Sequence, residues 1–231
     1  MEVQIMIFAI LFSVLLFFLL FYASYSISSR VYVKAYCRKK TIEKEVALTF
    51  DDGPNAEYTP KILDILKQWN VKATFFCIGS EVEKNPQLAA KIAEEGHLIG
   101  NHSYSHVNSF PLFSAKKMSV DLRRCEEALQ SATGKTVRFF RPPFGVTNPT
   151  LKRALKKFDY HVIGWNIRSL DTSTKDADKV VSRIIQQIRP GSVILLHDTL
   201  PHAEQILQNT LGYLSSNGYT VKRIDEFFNI I

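Results

Sequence analysis

Two adjacent carboxylates close an apolar, β-prone run in Thr49-Phe50-Asp51-Asp52-Gly53-Pro54, and two imidazoles follow at i, i+4 in His102-Ser103-Tyr104-Ser105-His106. One carboxylate with two imidazoles is a common donor set for a catalytic divalent cation that keeps a position open for water. The other carboxylate is then free to take a proton from that water. Each half alone has a plainer reading. Asp-Asp-Gly-Pro is also a solvated turn, and His102 and His106 could share the outer face of a helix. Together they point to metal-assisted hydrolysis. Neighbouring side chains on a strand face opposite ways, so Asp51 and Asp52 need the Gly53-Pro54 turn to reach one pocket.

Bringing these residues together falls to the elements around them. From about Val46 the sequence alternates short β-rich runs with amphipathic stretches. Strands are expected over 46–50, 73–78, 97–100, 137–141, 161–165, 192–196 and 219–222, with helices over 58–69, 86–95, 115–131, 150–158, 177–188 and 203–216. Gly96, Gly134, Gly191 and Gly218 fall where helices should stop. Strands alternating with helices imply a parallel sheet, open or closed. Nearly every suggestive residue falls at or just past the C-terminal end of an expected strand: Asp51 and Asp52 the first, His102 and His106 the third, Arg141 the fourth, Asp171 the fifth and His197 the sixth. A barrel gathers strand ends round one mouth, whereas an open sheet spreads them along a line. A barrel fits better.

Four motifs stand in order: Thr49-Phe50-Asp51-Asp52-Gly53-Pro54, Asn101-His102-Ser103-Tyr104-Ser105-His106, Arg138-Phe139-Phe140-Arg141-Pro142-Pro143-Phe144-Gly145 and Leu195-Leu196-His197-Asp198. With them, residues 44–225 resemble the polysaccharide deacetylases, the NodB-homology domain of carbohydrate esterase family 4. The resemblance implies a distorted (β/α)7 barrel and metal-dependent removal of N- or O-acetyl groups from carbohydrates. It implies that Asp52 joins His102 and His106 as a metal ligand while Asp51 is the general base. It also implies that the backbone N–H of Phe144, where the family commonly has Tyr, helps to hold an oxyanion; a backbone donor survives that change. The donor set suits Zn2+, and Co2+ or Ni2+ fit it as well.

The other residues have readings of their own. Arg141, fixed among prolines, is placed to pair with Asp51 and keep it ionised and aimed; Pro143 is expected to line the substrate pocket. A departing sugar amine needs a proton, and His197, at the end of an apolar strand, is the candidate general acid. Its carboxylate partner is expected to be Asp171, with Asp198 as the alternative, and Leu196 is expected to line a pocket for the acetyl methyl. Asn101 is a candidate to position its loop or to orient a ligand, and His97 reads as a strand residue. The family usually shows Asp-x-x-Asp-Trp where this chain reads Arg168-Ser169-Leu170-Asp171-Thr172. Loss of that aromatic bears on long-glycan binding more than on the chemistry.

Ahead of this domain, residues 5–22 are apolar and uncharged, long enough for one transmembrane anchor. They divide the chain into an N-terminal tail (1–4), the anchor (5–22), a basic juxtamembrane linker (23–43) and a catalytic domain (44–231). The net charge is +7, but residues 1–40 hold five bases against one acid, leaving 24 Lys and Arg against 21 Asp and Glu. The excess therefore suits lipid headgroups and argues against a nucleic-acid binder. Two signals conflict over topology. The basic cluster places the domain in the cytosol by the positive-inside rule, whereas the resemblance places it outside, on cell-wall or other extracellular glycans. Three cysteines, Cys37, Cys77 and Cys125, lack metal-type spacing. The expected activity is de-N-acetylation of N-acetylglucosamine-type sugars in peptidoglycan, chitin-like or exopolysaccharide chains. The competitors are deacylation of a lipid-linked or small sugar, and a silent glycan-binding protein.

Overall fold

The computed structural model describes residues 1–230. Nine strands form one parallel sheet: β1 (Ala35–Tyr36), β2 (Glu45–Asp51), β3 (Thr74–Cys77), β4 (Leu98–Asn101), β5 (Phe139–Phe140), β6 (His161–Ile163), β7 (Ile167–Arg168), β8 (Ser192–His197) and β9 (Thr220–Val221). Their order is β1-β6-β5-β4-β3-β2-β8-β7, with β9 beside the start of β2. β6 pairs with β5, and β7, three residues further along the chain, pairs with β8. The sheet thus curls into a distorted barrel whose seam is bridged by Gly164-Trp165-Asn166. One continuous strand was expected over 161–165. Gly164 N–H instead donates to Tyr36 O and Asn166 N–H to Val193 O, so the chain changes neighbours there.

The helices are α1 (Glu2–Tyr25), α2 (Thr59–Gln68), α3 (Gly79–Lys84), α4 (Pro86–Glu94), α5 (Ala115–Thr133), α6 (Pro149–Leu155), α7 (Ala177–Gln187), α8 (Ala203–Ser216) and α9 (Ile224–Phe228). Local sequence sets several of their ends. Ser114 Oγ accepts from Lys117 N–H at the start of α5, and Gly134 ends it in the left-handed region at φ 68°. Asn148 and Asp176 cap α6 and α7 in the same way.

Strand alternation sorts the core into two layers. Val46, Leu48 and Phe50 face the helices and pack with Ile62, Leu66, Ile206 and Leu207. Ala47 faces inward with Phe76, Phe139, Ile163 and Val193, and Ile224 and Phe227 of α9 join this inner cluster. Ile224 N–H donates to Thr74 Oγ1 at the start of β3, so α9 plugs the end of the barrel opposite the strand C-termini.

The segment expected to be a linker is drawn into the domain. Ala23, Ile27, Val33, Ala35 and Cys37 are buried, and β1 adds a strand to β6. Ile27, Val33, Ala35 and Cys37 are apolar and match a groove beside Phe110, Leu151 and Val162, which overrides the basic character of the stretch. α1 is long and apolar enough to cross a membrane.

Candidate functional site

Asp51 is the last residue of β2, on the inward face with Ala47 and Thr49. Asp52 follows in the left-handed region at φ 76°, which turns its carboxylate back toward the same mouth. Gly53 is required next, because a Cβ there would run into the carboxylate of buried Asp198. His102 follows β4. It and His106 lie on a loop, not a helix, with Ser103 at φ 66° and His106 at φ 44°. Asp121 holds this loop, accepting from Tyr104 N–H at 2.7 Å and Ser105 Oγ at 2.6 Å, while Ser103 Oγ accepts from His106 N–H at 3.0 Å. Asn101 serves the loop as well: its Oδ1 accepts from Ser103 N–H at 2.8 Å.

The candidate ligand His102 is oriented by Arg141 rather than by Asn101. His102 Nδ1 lies 2.8 Å from the Arg141 carbonyl. A carbonyl only accepts, so Nδ1 carries a hydrogen and Nε2 is the nitrogen that faces the site. That Nε2 is 3.5 Å from Asp52 Oδ1, and His106 Nε2 is 3.4 Å from the same oxygen. Asp52 Oδ1 is buried and has no hydrogen-bond partner among the described residues. Burial and the neighbouring His102 push the ionisation of His106 down to about 4, so its ring is neutral near pH 7. Burial works to raise the Asp52 pKa, yet its contacts with His102, His106 and His197 hold it well below the usual carboxylate range.

A carboxylate oxygen facing two imidazole nitrogens is an arrangement that a cation completes. Donors about 2.1 Å from a tetrahedral ion sit about 3.4 Å apart, and these atoms all lie within 4.8 Å of one another. The residues fit a divalent metal.

Two charge pairs flank this set. Arg141 is fully buried, and its Nη1 donates to Asp51 Oδ1 at 2.6 Å and to Thr49 Oγ1 at 2.8 Å. Its Nε and Nη2 donate to the carbonyls of Ile163 and Gly164 at the barrel seam, at 3.2 and 2.9 Å. On the other side His197 Nδ1 donates to Asp171 Oδ1 at 2.7 Å, and His197 N–H to Asp171 Oδ2 at 2.9 Å. Burial opposes a charged His197, but the hydrogen bond and charge of Asp171, with Asp51 and Asp52 adding, raise its pKa to about 9. Its Nε2 lies 3.8 Å from Asp52 Oδ2. His202, missed in the sequence, donates from Nε2 to the Asp171 carbonyl at 2.9 Å and steadies that turn.

Asp198 points elsewhere. It is fully buried and accepts from Thr59 Oγ1 at 2.5 Å, and burial lifts its pKa to about 7. His97, at the opposite end of β4 from His102, accepts from Ala73 N–H through Nδ1. Pro143 is buried, and Phe144, at φ 60°, sets its ring at a tilt 4.8 Å from that of His106. Leu196 is a correction. It packs in the helix-facing layer with Leu48 and Phe50, and strand alternation puts Leu195 on the same inward face as His197. Thr172 and Arg168 are exposed, and beside Asp171 opens a groove of about 870 Å³ lined by Thr172, Ser173, Leu200 and Pro201.

The polysaccharide deacetylase family model matches residues 38–163. This chain belongs to the polysaccharide deacetylase family. It is 44% identical over 156 residues to a peptidoglycan-N-acetylglucosamine deacetylase of Bacillus cereus, covering 67% of this chain and 56% of that protein. The chain thus spans about half the length of that relative. Its fold matches the crystal structure of the Bc1960 peptidoglycan N-acetylglucosamine deacetylase at TM-score 0.79 and 36% identity, over 85% of this chain and 93% of that one. It also matches a family 4 pseudoenzyme from Bacillus anthracis, at TM-score 0.77 and 31% identity over 83% of this chain and 67% of that one.

Proposed function

We propose that this polysaccharide deacetylase family member is a metal-dependent N-deacetylase of glycans that carry N-acetylglucosamine-type sugars, held at a membrane by α1. The observation that carries the reading is Asp52 Oδ1, buried without a hydrogen-bond partner and facing His102 and His106 Nε2, with a charge pair on either side. The named activity of the Bacillus cereus relative supports the substrate class. Zn2+ is the ion of choice for one carboxylate and two imidazoles, and a cell-wall glycan as substrate favours the extracytoplasmic side.

The reaction is hydrolysis of an amide. An oxygen–carbon bond forms from water, the carbon–nitrogen bond breaks, and the products are acetate and a free sugar amine. A divalent ion bound by Asp52, His102 and His106 would acidify the attacking water and polarise the acetyl carbonyl. Asp51 takes the proton from that water, and Arg141 fixes the carboxylate that receives it. The backbone N–H of Phe144 donates to the developing oxyanion. His197, kept charged by Asp171, passes a proton from Nε2 to the departing nitrogen. Leu195, below His197, and Pro143 shape the acetyl pocket.

A pseudoenzyme among the structural neighbours makes the silent-binder reading concrete. The complete set of base, ligands and acid in this chain favours catalysis over it. The test is acetate release from triacetylchitotriose by the full chain in detergent with added Zn2+. Asp51→Asn and His197→Ala are each expected to lower the rate by about 10²–10⁴-fold, and Asp52→Ala to lose bound metal by elemental analysis. Full activity in Asp51→Asn, or no acetate from the metal-loaded wild type with any N-acetylglucosamine oligomer, free or lipid-borne, would overturn the reading.

A further inference from the structure

α1 leaves the domain abruptly. Every residue up to Tyr22 is exposed, Ala23 is 4% exposed, and the chain then locks onto the rim of the barrel mouth. Thr147 N–H donates to Ser24 O at 2.9 Å, and Ser29 Oγ donates to Ala23 O at 2.9 Å. Ile27 enters a buried cluster with Phe110, Met118 and Leu151. Thr147 lies three residues past Phe144, on the loop between β5 and α6, and the Phe144 ring touches that of the candidate ligand His106. Three residues reach at most about 11 Å, so the end of the apolar helix and the metal site lie within on the order of 20 Å.

The rim has the composition of a membrane contact. Leu112 is 87% exposed, Val107 41% and Phe144 37%, on two loops joined where Asn148 Nδ2 donates to Pro111 O at 2.8 Å. Lys116 and Lys117 follow at the start of α5, and Arg30 follows the α1 docking point. Apolar side chains flanked by cations sit favourably in a headgroup layer. The docking also removes the slack that would let the site rise off the bilayer, since Ala23, Ile27, Val33, Ala35 and Cys37 pin the segment into the domain.

We propose that the docked end of α1 holds the mouth of the site against the bilayer surface, and that its substrate is an acetylated saccharide carried on a membrane lipid. This rests on the deacetylase reading and names the substrate class for the same site. A lipid-borne sugar arrives by diffusion in the plane at the height of the mouth. A polymer strand far from the bilayer must instead be brought down to a rim that lacks the family's stacking Trp, here Thr172.

The test uses the full chain reconstituted with Zn2+ in phosphatidylglycerol-containing vesicles. Acetate release is compared between a chitotriose N-acetyl glycolipid in the same vesicles and free triacetylchitotriose. The lipid-borne sugar is expected to react with at least tenfold higher efficiency at equal total concentration. A twenty-residue Gly/Ser run inserted between Tyr22 and Ala23, with a reach of about 25 Å, keeps the docking contacts but frees the domain from the bilayer. It is expected to abolish the preference and leave the free-sugar rate unchanged. Leu112→Asp is expected to lower the glycolipid rate alone. Equal efficiency on the two substrates overturns the proposal while leaving the deacetylase reading intact, as does a preference that survives the insertion. No acetate from either substrate overturns both.

Discussion

Two buried carboxylate–cation pairs stand side by side at the mouth of the barrel, where Asp51 of β2 is the register partner of His197 of β8, and they differ in what their cations can do. Asp51 is held by Arg141, whose guanidinium makes four hydrogen bonds and spans from β2 to the seam carbonyls of Ile163 and Gly164. Arginine does not give up its proton in any working range of pH, so this pair can only aim and fix a base. Asp171 is held by His197, whose imidazole gains and loses a proton and whose second nitrogen faces the site. In the proposed mechanism one pair is scaffold and the other is reagent. The same electrostatic device, a buried opposite charge at 2.6 or 2.7 Å, would serve two ends of the proposed hydrolysis because only one of the two cations can titrate.

The largest expected effect comes from breaking the fixed pair. Arg141→Met removes a fully buried cation and leaves Asp51, itself 3% exposed, without its partner. Unpairing a buried charge costs about 3–5 kcal/mol, and each kcal/mol moves the midpoint of a domain this size by about 2–4 °C. Thermal unfolding should therefore fall by on the order of 10 °C, with acetate release abolished. Arg141→Lys restores a charge but not the fork to the seam carbonyls, and should recover part of the stability and little of the activity. An unchanged midpoint in Arg141→Met would show that the pair does not fasten the seam.

Much of this site is legible in the sequence, for a physical reason. The barrel places chemistry at strand ends, and strand ends are marked by breaks in apolar runs, so Asp51, Asp52, His102, Arg141 and His197 all announce themselves. Asp171 is legible as the carboxylate that follows the fifth expected strand. Legibility stops where tertiary contacts decide. Leu195 and Leu196 sit in an unbroken apolar run, which carries no period-2 signal to say which faces inward. β1 is two residues long and lies in a basic stretch, and its burial depends on a groove built by Phe110, Leu151 and Val162 far along the chain. The carbonyl of Arg141 as the anchor of His102 could not be read at all, because a backbone acceptor has no residue type.

Next in size is the titratable pair. Asp171→Asn keeps the hydrogen-bonding shape and removes the charge that overcomes burial, so the folded-state pKa of His197 drops from about 9. The acid form exists below that pKa and is lost above it, so the alkaline limb of the rate profile should move to lower pH. The rate at its optimum should fall by about 10–100-fold, because the imidazole itself remains. A bound divalent cation works against the imidazolium, so the limb of the metal-loaded enzyme lies below the pKa of about 9 that His197 has without the metal. Stability carries the same sign. A folded pKa of about 9 against an unfolded value of about 6.5 gives stabilisation that is complete below the unfolded pKa. It is lost as pH rises through the folded one. Urea unfolding of the metal-free wild type should lose on the order of 3 kcal/mol between pH 6.5 and 9 from this group, and Asp171→Asn should flatten that slope. Arg141 holds its charge across the window, so its pair contributes none of the slope. An unmoved limb and an unflattened slope together would mean that Asp171 only positions the ring.

The smallest effects belong to the strand that delivers His197, and they test which of its faces looks into the site. Leu195 shares the inward face with His197, whereas Leu196 packs against Leu48 and Phe50 beneath the helices. Leu196→Met conserves volume in that layer, so it should cost less than about 1.5 kcal/mol and leave acetate release within about twofold. Leu195→Phe adds bulk beneath the general acid, where it narrows the space for the acyl methyl. It should slow release of acetate more than release of the smaller formate from the matching N-formyl sugar. A methyl-sized difference in an apolar pocket is worth about 10–200-fold at most, so the ratio of the two rates is the sensitive readout. Were Leu196→Met to shift that ratio and Leu195→Phe to leave it alone, the strand's faces would be reversed at the mouth. The acetyl pocket would then lie on the helix side of β8, outside the barrel that the two charge pairs enclose.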